Sequence, residues 1–350
     1  MKILTEDVLG MWQLFTLQND HGMEVEILNY GGVITKIKTP NKNGEVENVV
    51  LGYKDIQDYE TNPFYLGSVI GRVAGRIQDA EFEWNGIKYQ LEQNDGTNNL
   101  HSGSNGYHRQ VWETETFQGD SEVGVVLSYL SRDGESGFPG DVHVRMTYTL
   151  TNENKLILDY QATSEKDTPL TLTNHTYFNL SGNLKETIHD HHVQLPSSQF
   201  VELDHSLIPT GKIVDVAENS TFDFRQGRRI RQGIERGSEQ NKIVGNGYDH
   251  YFIFDTNEDK KVLVEDRNSG RSLTVETTQP GMVMYTGNKL LEGTELNERK
   301  STKHLGICFE TQGSPASLHH SNLPNIMVKA GERYKHQTTF TFHPLISPSK

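Results

Sequence analysis

A single cysteine, Cys308, stands in the whole chain, so no internal disulfide can form and cysteine-based zinc sites are excluded. That usage suits a reducing compartment, and a cytoplasmic location is the expectation. No run approaches the roughly 18 apolar residues that a membrane helix needs. The opening Met1-Lys2-Ile3-Leu4-Thr5-Glu6-Asp7 turns acidic before a signal-peptide apolar region could form. Cations are also short, with 33 Lys and Arg against 47 Asp and Glu and a net charge of −14. Nucleic acid and anionic membranes both require clustered Lys and Arg, so neither is an expected partner. No GxGxxG, P-loop, HExxH or GxSxG element occurs, which leaves nucleotide-binding, zinc-protease and serine-esterase readings without support.

What the chain does have is β pattern. Its 34% hydrophobic content, with 14 Tyr and 14 Phe, suffices for a packed β core. Short segments rich in Val, Ile, Thr and aromatics alternate with Gly, Asn and Asp. Phe82 to Tyr89 reads as a hairpin, with Asn85-Gly86 supplying the positive φ angles of a type I′ turn. Val144 to Leu150 with Leu156 to Thr163, and Val262 to Glu265 with Ser272 to Thr277, read as two more. Val283 to Tyr285 and Thr338 to Phe342 add strands, and Glu24 to Thr39 reads as two strands broken at Gly31-Gly32. Helical signals are weak: Phe224 to Arg236 holds at most a short turn, punctuated by Gly227, Gly233 and Gly237. Many strands without helices imply stacked sheets, an all-β, large antiparallel β-sandwich. The 350 residues would allow about two domains by length. No linker or repeat divides them, so residues 1–350 are read as one domain.

Four polar segments far apart in the chain could converge on one site: Asn98 to Gly103, Thr173 to Asn179, Gly247 to His250, and Cys308 to Gln312. Each places an ionisable residue beside residues that favour strand ends or turns. An imidazole facing a carboxylate suits proton shuttling on a polar, uncharged substrate. His175 lies in an unusually polar strand-like segment and could act as a general acid, although a lone strand histidine is more often a core residue. Glu310 follows the apolar run Gly306 to Phe309, so it sits at the end of a buried strand, partly desolvated and a better base for it. His101 and Asp249-His250 read equally well as solvated turn residues. Arg72 and Arg76 could be salt-bridged loop arginines or hold sugar hydroxyls. His189-Asp190-His191-His192 looks like a metal set, but neighbouring strand residues point to opposite faces. Solvent exposure is expected there and at His319-His320, and no metal is expected.

In order along the chain, these segments resemble the aldose 1-epimerase, or galactose mutarotase, family. The matching elements are Asn29-Tyr30-Gly31-Gly32, Val49-Val50-Leu51-Gly52-Tyr53, Gly71-Arg72-Val73-Ala74-Gly75-Arg76-Ile77, Asn99-Leu100-His101-Ser102-Gly103, Thr173-Asn174-His175-Thr176-Tyr177-Phe178-Asn179-Leu180, Tyr248-Asp249-His250, Thr277-Thr278-Gln279-Pro280-Gly281, Tyr285-Thr286-Gly287-Asn288 and Phe309-Glu310-Thr311-Gln312. The resemblance implies a single large antiparallel β-sandwich with a monosaccharide cleft. It implies interconversion of the α and β anomers of free aldoses such as glucose and galactose, without a cofactor, by a monomer or homodimer. Carried over motif by motif, Glu310 would be the general base and His175 the general acid, with His101, Arg76, Asp249 and Gln279 lining the sugar site. The sequence departs at Gly75, where many members have Asn, and after Glu310, where a common Pro-Asp pair is replaced within Gln312-Gly313-Ser314-Pro315-Ala316.

Free Glu titrates near roughly 4.3 and free His near roughly 6.5, so a window with ionised base and protonated acid already exists. A neighbouring carboxylate is expected to raise the histidine further. Three other readings compete. A glycoside hydrolase would pair Glu310 with Asp249 across about 5–10 Å. A hexose-6-phosphate 1-epimerase would need cations such as Arg72 and Arg76 for the phosphate. A non-catalytic carbohydrate-binding protein would have no need of a facing acid and base.

Overall fold

A computed structural model describes residues 1–255 and 261–344; residues 256–260 and 345–350 of the expected 1–350 span lie outside the described residues. Alternation of apolar and polar side chains builds the largest sheet. Lys155–Ser164 buries every second residue along most of its length, and Val142–Thr151 does so over its first half. Strands of this kind cover a core on one face and meet water on the other. Nine strands stand side by side in the order Glu113–Gln118, Glu122–Ser131, Val142–Thr151, Lys155–Ser164, Arg333–Pro344, Arg271–Thr277, Lys261–Asp266, His192–Gln194 and Arg228–Arg229.

A six-stranded sheet follows the order Tyr177–Phe178, Ile307–Gln312, Gly281–Tyr285, Asp249–Ile253, Gln199–Leu203 and Pro209–Asp215. A five-stranded meander runs from Lys2–Val8 through Trp12–Gln18, Glu24–Leu28 and Val33–Pro40 to Val46–Asn48. Every pairing between these named strands is antiparallel. One apolar cluster ties the sheets together, with Tyr148, Leu158 and Phe340 from the nine-stranded sheet against Phe178, Phe252 and Phe309 from the six-stranded one. Each such side chain contributes about 1.5–3 kcal/mol on full burial. The result is the large antiparallel β-sandwich the alternation implied.

The hairpin at Asn85-Gly86 has φ of 51° and 76° at its two central residues, the geometry of a type I′ turn. The expected break at Gly31-Gly32 separates Glu24–Leu28 from Val33–Pro40. Among the described residues α-helix is confined to Ile230–Arg236, closed by Gly237 in the left-handed conformation, and to a second turn, Glu239–Ile243, capped by the Ser238 hydroxyl. The latter was not foreseen, because five residues carry too little periodicity to register.

Candidate active site

The six-stranded sheet delivers two of the candidate residues through its register. Glu310 lies opposite Val283, and Asp249 opposite Tyr285, so Asp249 and Glu310 flank the central strand Gly281–Tyr285. Glu310 is not at the strand end that the sequence suggested. It is the fourth of six residues in Ile307–Gln312, all six of them buried, and only 3% of its surface is exposed. Its neighbour on the same face two residues back is Cys308.

His175 sits in the gap between the short strands Thr173–Asn174 and Tyr177–Phe178. Its amide donates to the Ser68 carbonyl at 2.8 Å and its own carbonyl accepts from the Gly67 amide at 3.1 Å. Asn174 reinforces this corner, donating to the Gly67 carbonyl and accepting from the Thr176 amide and hydroxyl. The ring so fixed places Nε2 3.6 Å from Glu310 Oε1, while Nδ1 lies 3.6 Å from Cys308 Sγ.

His101 follows Asn99–Leu100, which pairs with Arg76–Ile77. The sequence allowed a solvated turn; the residue is buried instead, with φ of 53°. Its amide donates to the Gly75 carbonyl, and the Gly75 amide returns a bond to His101 Nδ1 at 3.1 Å. That return bond leaves Nδ1 as an acceptor, so the neutral ring carries its proton on Nε2. His101, His175 and Glu310 present ligand atoms within 4.8 Å of one another, the spacing of a metal set. A metal would need an unprotonated nitrogen from His101, and the Gly75 amide already occupies its lone pair at Nδ1, so the donor chemistry fits proton donation better than metal ligation.

Arg76 closes the other side. Its Nε meets Asp95 Oδ2 at 2.7 Å and its NH1 lies 3.8 Å from Asp249 Oδ2. These groups line one cleft of about 330 Å³. Tyr65, Tyr177, Tyr285, Lys289, Gln312 and Pro315 share its walls. Tyr65 stacks edge-on against both His101 and His108, with ring centroids 4.7 and 4.8 Å away.

Burial governs the titration of this cleft. It pushes the Glu310 carboxyl well above the usual carboxylate range, helped by the Asp249 carboxyl and opposed by Arg76. Asp249 is also raised by burial, against the pull of Arg76 and Lys289. His175 falls to about 4 because its ring is desolvated, and His101 drops as well, through burial and then the nearby His175. The expectation that a carboxylate would raise His175 is therefore corrected: with Glu310 3.6 Å away the imidazole still falls, because its ring has lost its water.

Five of the six residues put forward from the sequence, Glu310, His175, His101, Arg76 and Asp249, line this cleft. Gln279 does not. It is buried beyond the end of Arg271–Thr277, donates to the Tyr334 hydroxyl at 3.0 Å and borders a separate hollow of about 370 Å³. Arg72 is likewise elsewhere, buried and bonded to the Ser131 hydroxyl and to the carbonyls of Ser131, Arg132 and Pro139. A larger hollow of about 560 Å³ on the nine-stranded sheet contains none of the candidates.

The His189–His192 run is only partly exposed, contrary to expectation. His191 is buried, its Nε2 accepting from the Leu180 amide at 2.8 Å. His319 is exposed and His320 half-buried. Sequence reasoning also missed Asp95, Tyr65 and Lys289. Asp95-Gly96 reads simply as a turn, and nothing in the sequence signals the φ of 56° that aims Tyr65 inward.

Comparison with known proteins agrees with this architecture. Residues 13–341 match the family model for aldose 1-epimerase. The chain is 37% identical over 337 residues to the galactose mutarotase of Sus scrofa, covering 95% of this chain and 94% of that one. It is 37% identical over 335 residues to the aldose 1-epimerase of Haemophilus influenzae, covering 95% and 96%. The crystal structure of galactose 1-epimerase from Lactobacillus acidophilus superposes with a TM-score of 0.86 at 30% identity, covering 98% of each chain.

Proposed function

The chain belongs to the aldose 1-epimerase family, and we propose that it interconverts the α and β anomers of free hexoses such as glucose and galactose by acid–base ring opening and closure. The observation that carries this reading is the 3.6 Å approach of His175 Nε2 to Glu310 Oε1 inside a cleft of monosaccharide size.

At the anomeric carbon, ring opening removes the proton of the hydroxyl and supplies one to the ring oxygen. A base and an acid acting together avoid a free oxyanion or oxocarbenium ion. Glu310 takes the hydroxyl proton as His175 donates from Nε2 to the ring oxygen. The open-chain aldehyde turns about its C1–C2 bond, and the reversed transfers close the ring on the other face. Each transfer contributes about 10²–10⁴-fold in rate.

The pair holds one proton before and after opening, so the cleft gains and loses no net charge. Once the ring is open, that proton rests on Glu310 and His175 is neutral. Burial favours this state, since it raises the carboxyl and lowers the imidazole. The reactive pair forms when the proton crosses from Glu310 to His175 as the sugar binds, and ring opening returns it to the arrangement that burial favours. His101, with Nε2–H facing the cleft, donates to a sugar oxygen, and Arg76 and Asp249 hold hydroxyls. Residence in the cytoplasm, and a monomer or homodimer, complete the proposal.

Polarimetry of freshly dissolved α-D-glucose and α-D-galactose tests it. The protein is expected to speed the approach to the equilibrium rotation by orders of magnitude over buffer. Rotation curves that coincide with and without protein would end the reading.

A further inference from the structure

We propose that Asp95 is a specificity-determining residue that reserves the cleft for uncharged sugars and turns away anionic ones. This rests on the hexose reading above and deepens it. The argument begins with Arg76, the one arginine among the residues lining the cleft. A guanidinium receives phosphate or carboxylate through paired N–H groups along one edge. Here both sides face a carboxyl already: Nε is bonded to Asp95 at 2.7 Å, and NH1 faces Asp249 at 3.8 Å. An incoming anion would have to displace one of them and stand beside the other.

Asp95 is built to stay in place. Its backbone exchanges hydrogen bonds with Asn98 in both directions, at 3.2 and 3.1 Å. The flanking Asn94 amide brackets the Leu100 amide and carbonyl. Asn98 in turn accepts from the Asp79 amide. The Asp95 side chain remains 33% exposed at the cleft wall, against 14% for Arg76, so its carboxylate is what a ligand meets on approach. Arg72, the second cation a phosphate site could have used, is buried elsewhere. Lys289 is exposed at the cleft wall and is the remaining cation there. With Arg76 already met by two carboxyls, it shares the cleft wall with Asp95, Asp249 and Glu310.

The test compares wild type, Asp95→Asn and Asp95→Glu in two assays. One is calorimetric binding of glucose, glucose 6-phosphate and inorganic sulfate; the other is the anomerisation rate of glucose and glucose 6-phosphate. Asp95→Asn is expected to shift both preferences toward the phosphorylated sugar by about tenfold or more and to acquire sulfate binding. Its free-glucose kcat/KM is expected to fall, because Arg76 loses its anchor. Asp95→Glu, which keeps the charge, is expected to stay within about threefold of the wild-type preference.

The inference is overturned if Asp95→Asn keeps the wild-type preference, or if Asp95→Glu shifts as far as Asp95→Asn. Wild type that converts neither sugar would sink the hexose reading, while the binding preferences would still decide the role of Asp95.

Discussion

Acid should unfold this protein well before it protonates ordinary carboxylates. Six buried histidines are held low by loss of water: His101, and with it five of known depth, His108 and His250 at about 3, and His175, His191 and His304 at about 4. In the unfolded chain each returns to roughly 6.5. A group whose folded pKa lies below its unfolded one binds fewer protons in the native state. Its stabilising contribution is complete above about pH 6.5 and drains away as pH falls toward the folded value.

At pH 5 each still-neutral histidine has lost about 2 kcal/mol, at 1.36 kcal/mol per unit. Five together lose on the order of 10 kcal/mol, comparable with a typical total stability of about 5–15 kcal/mol. Glu310 and Asp249, raised by burial, act in the opposite sense and recover part of this as they take up protons. Urea-unfolding midpoints followed by tryptophan fluorescence between pH 7.5 and 5 measure the balance. Stability is expected to fall steeply below pH 6.5, and His250→Gln, which removes one such group, should reduce the loss between pH 7 and pH 5 by about 2 kcal/mol. Midpoints that stay level from pH 7 to pH 5 would refute the reasoning.

Glu310→Gln keeps the shape of the strand and removes the proton acceptor, so the anomerisation rate should drop by about 10²–10⁴-fold with the thermal melt preserved; near-normal conversion would reassign the base. Asp249→Ala should raise KM about tenfold or more with a smaller change in kcat, and an unchanged KM would count against its hold on the sugar. Gly75→Ala should cost about 1–2 kcal/mol in a urea titration. Gly75 has φ of 89°, and an added Cβ would lie 3.0 Å from Pro315 Cγ. A neutral effect would show that this wall can give way.

Alternation made the sheets legible, and paired with a turn dipeptide it located the hairpin at Asn85-Gly86. It also explains why Asp249 and His250 part company. Adjacent strand residues face opposite ways, so Asp249 enters the cleft while His250 packs against Phe200 and Phe222. The motifs around His175 and Glu310 fixed those two residues because each is rigidly held by its neighbours. Gln279 was misread because the polar run Thr277-Thr278-Gln279 before Pro-Gly looks like a loop facing ligand. Only the docking of Arg333–Pro344 beside it shows that Tyr334 takes the amide. His191 was misread for a similar reason: its partner, the Leu180 amide, is close in space yet lies across a turn that no periodicity reveals. Burial of Glu310 in mid-strand, and the resulting descent of His175, depend on three-dimensional desolvation that a linear pattern does not carry.

Glu310 rides on a strand hydrogen-bonded to neighbours on both sides, Gly281–Tyr285 and Tyr177–Phe178, whereas Asp95, Tyr65, Lys289 and Pro315 hang from connecting segments. On the proposed reading the base is thus mounted on the sheet, while much of the wall that meets the sugar hangs from the connections. Laboratory evolution toward new pyranoses should accumulate its changes in those connecting segments and leave the sheet alone. On that reading, a lineage could wander widely in diet while its base stays still.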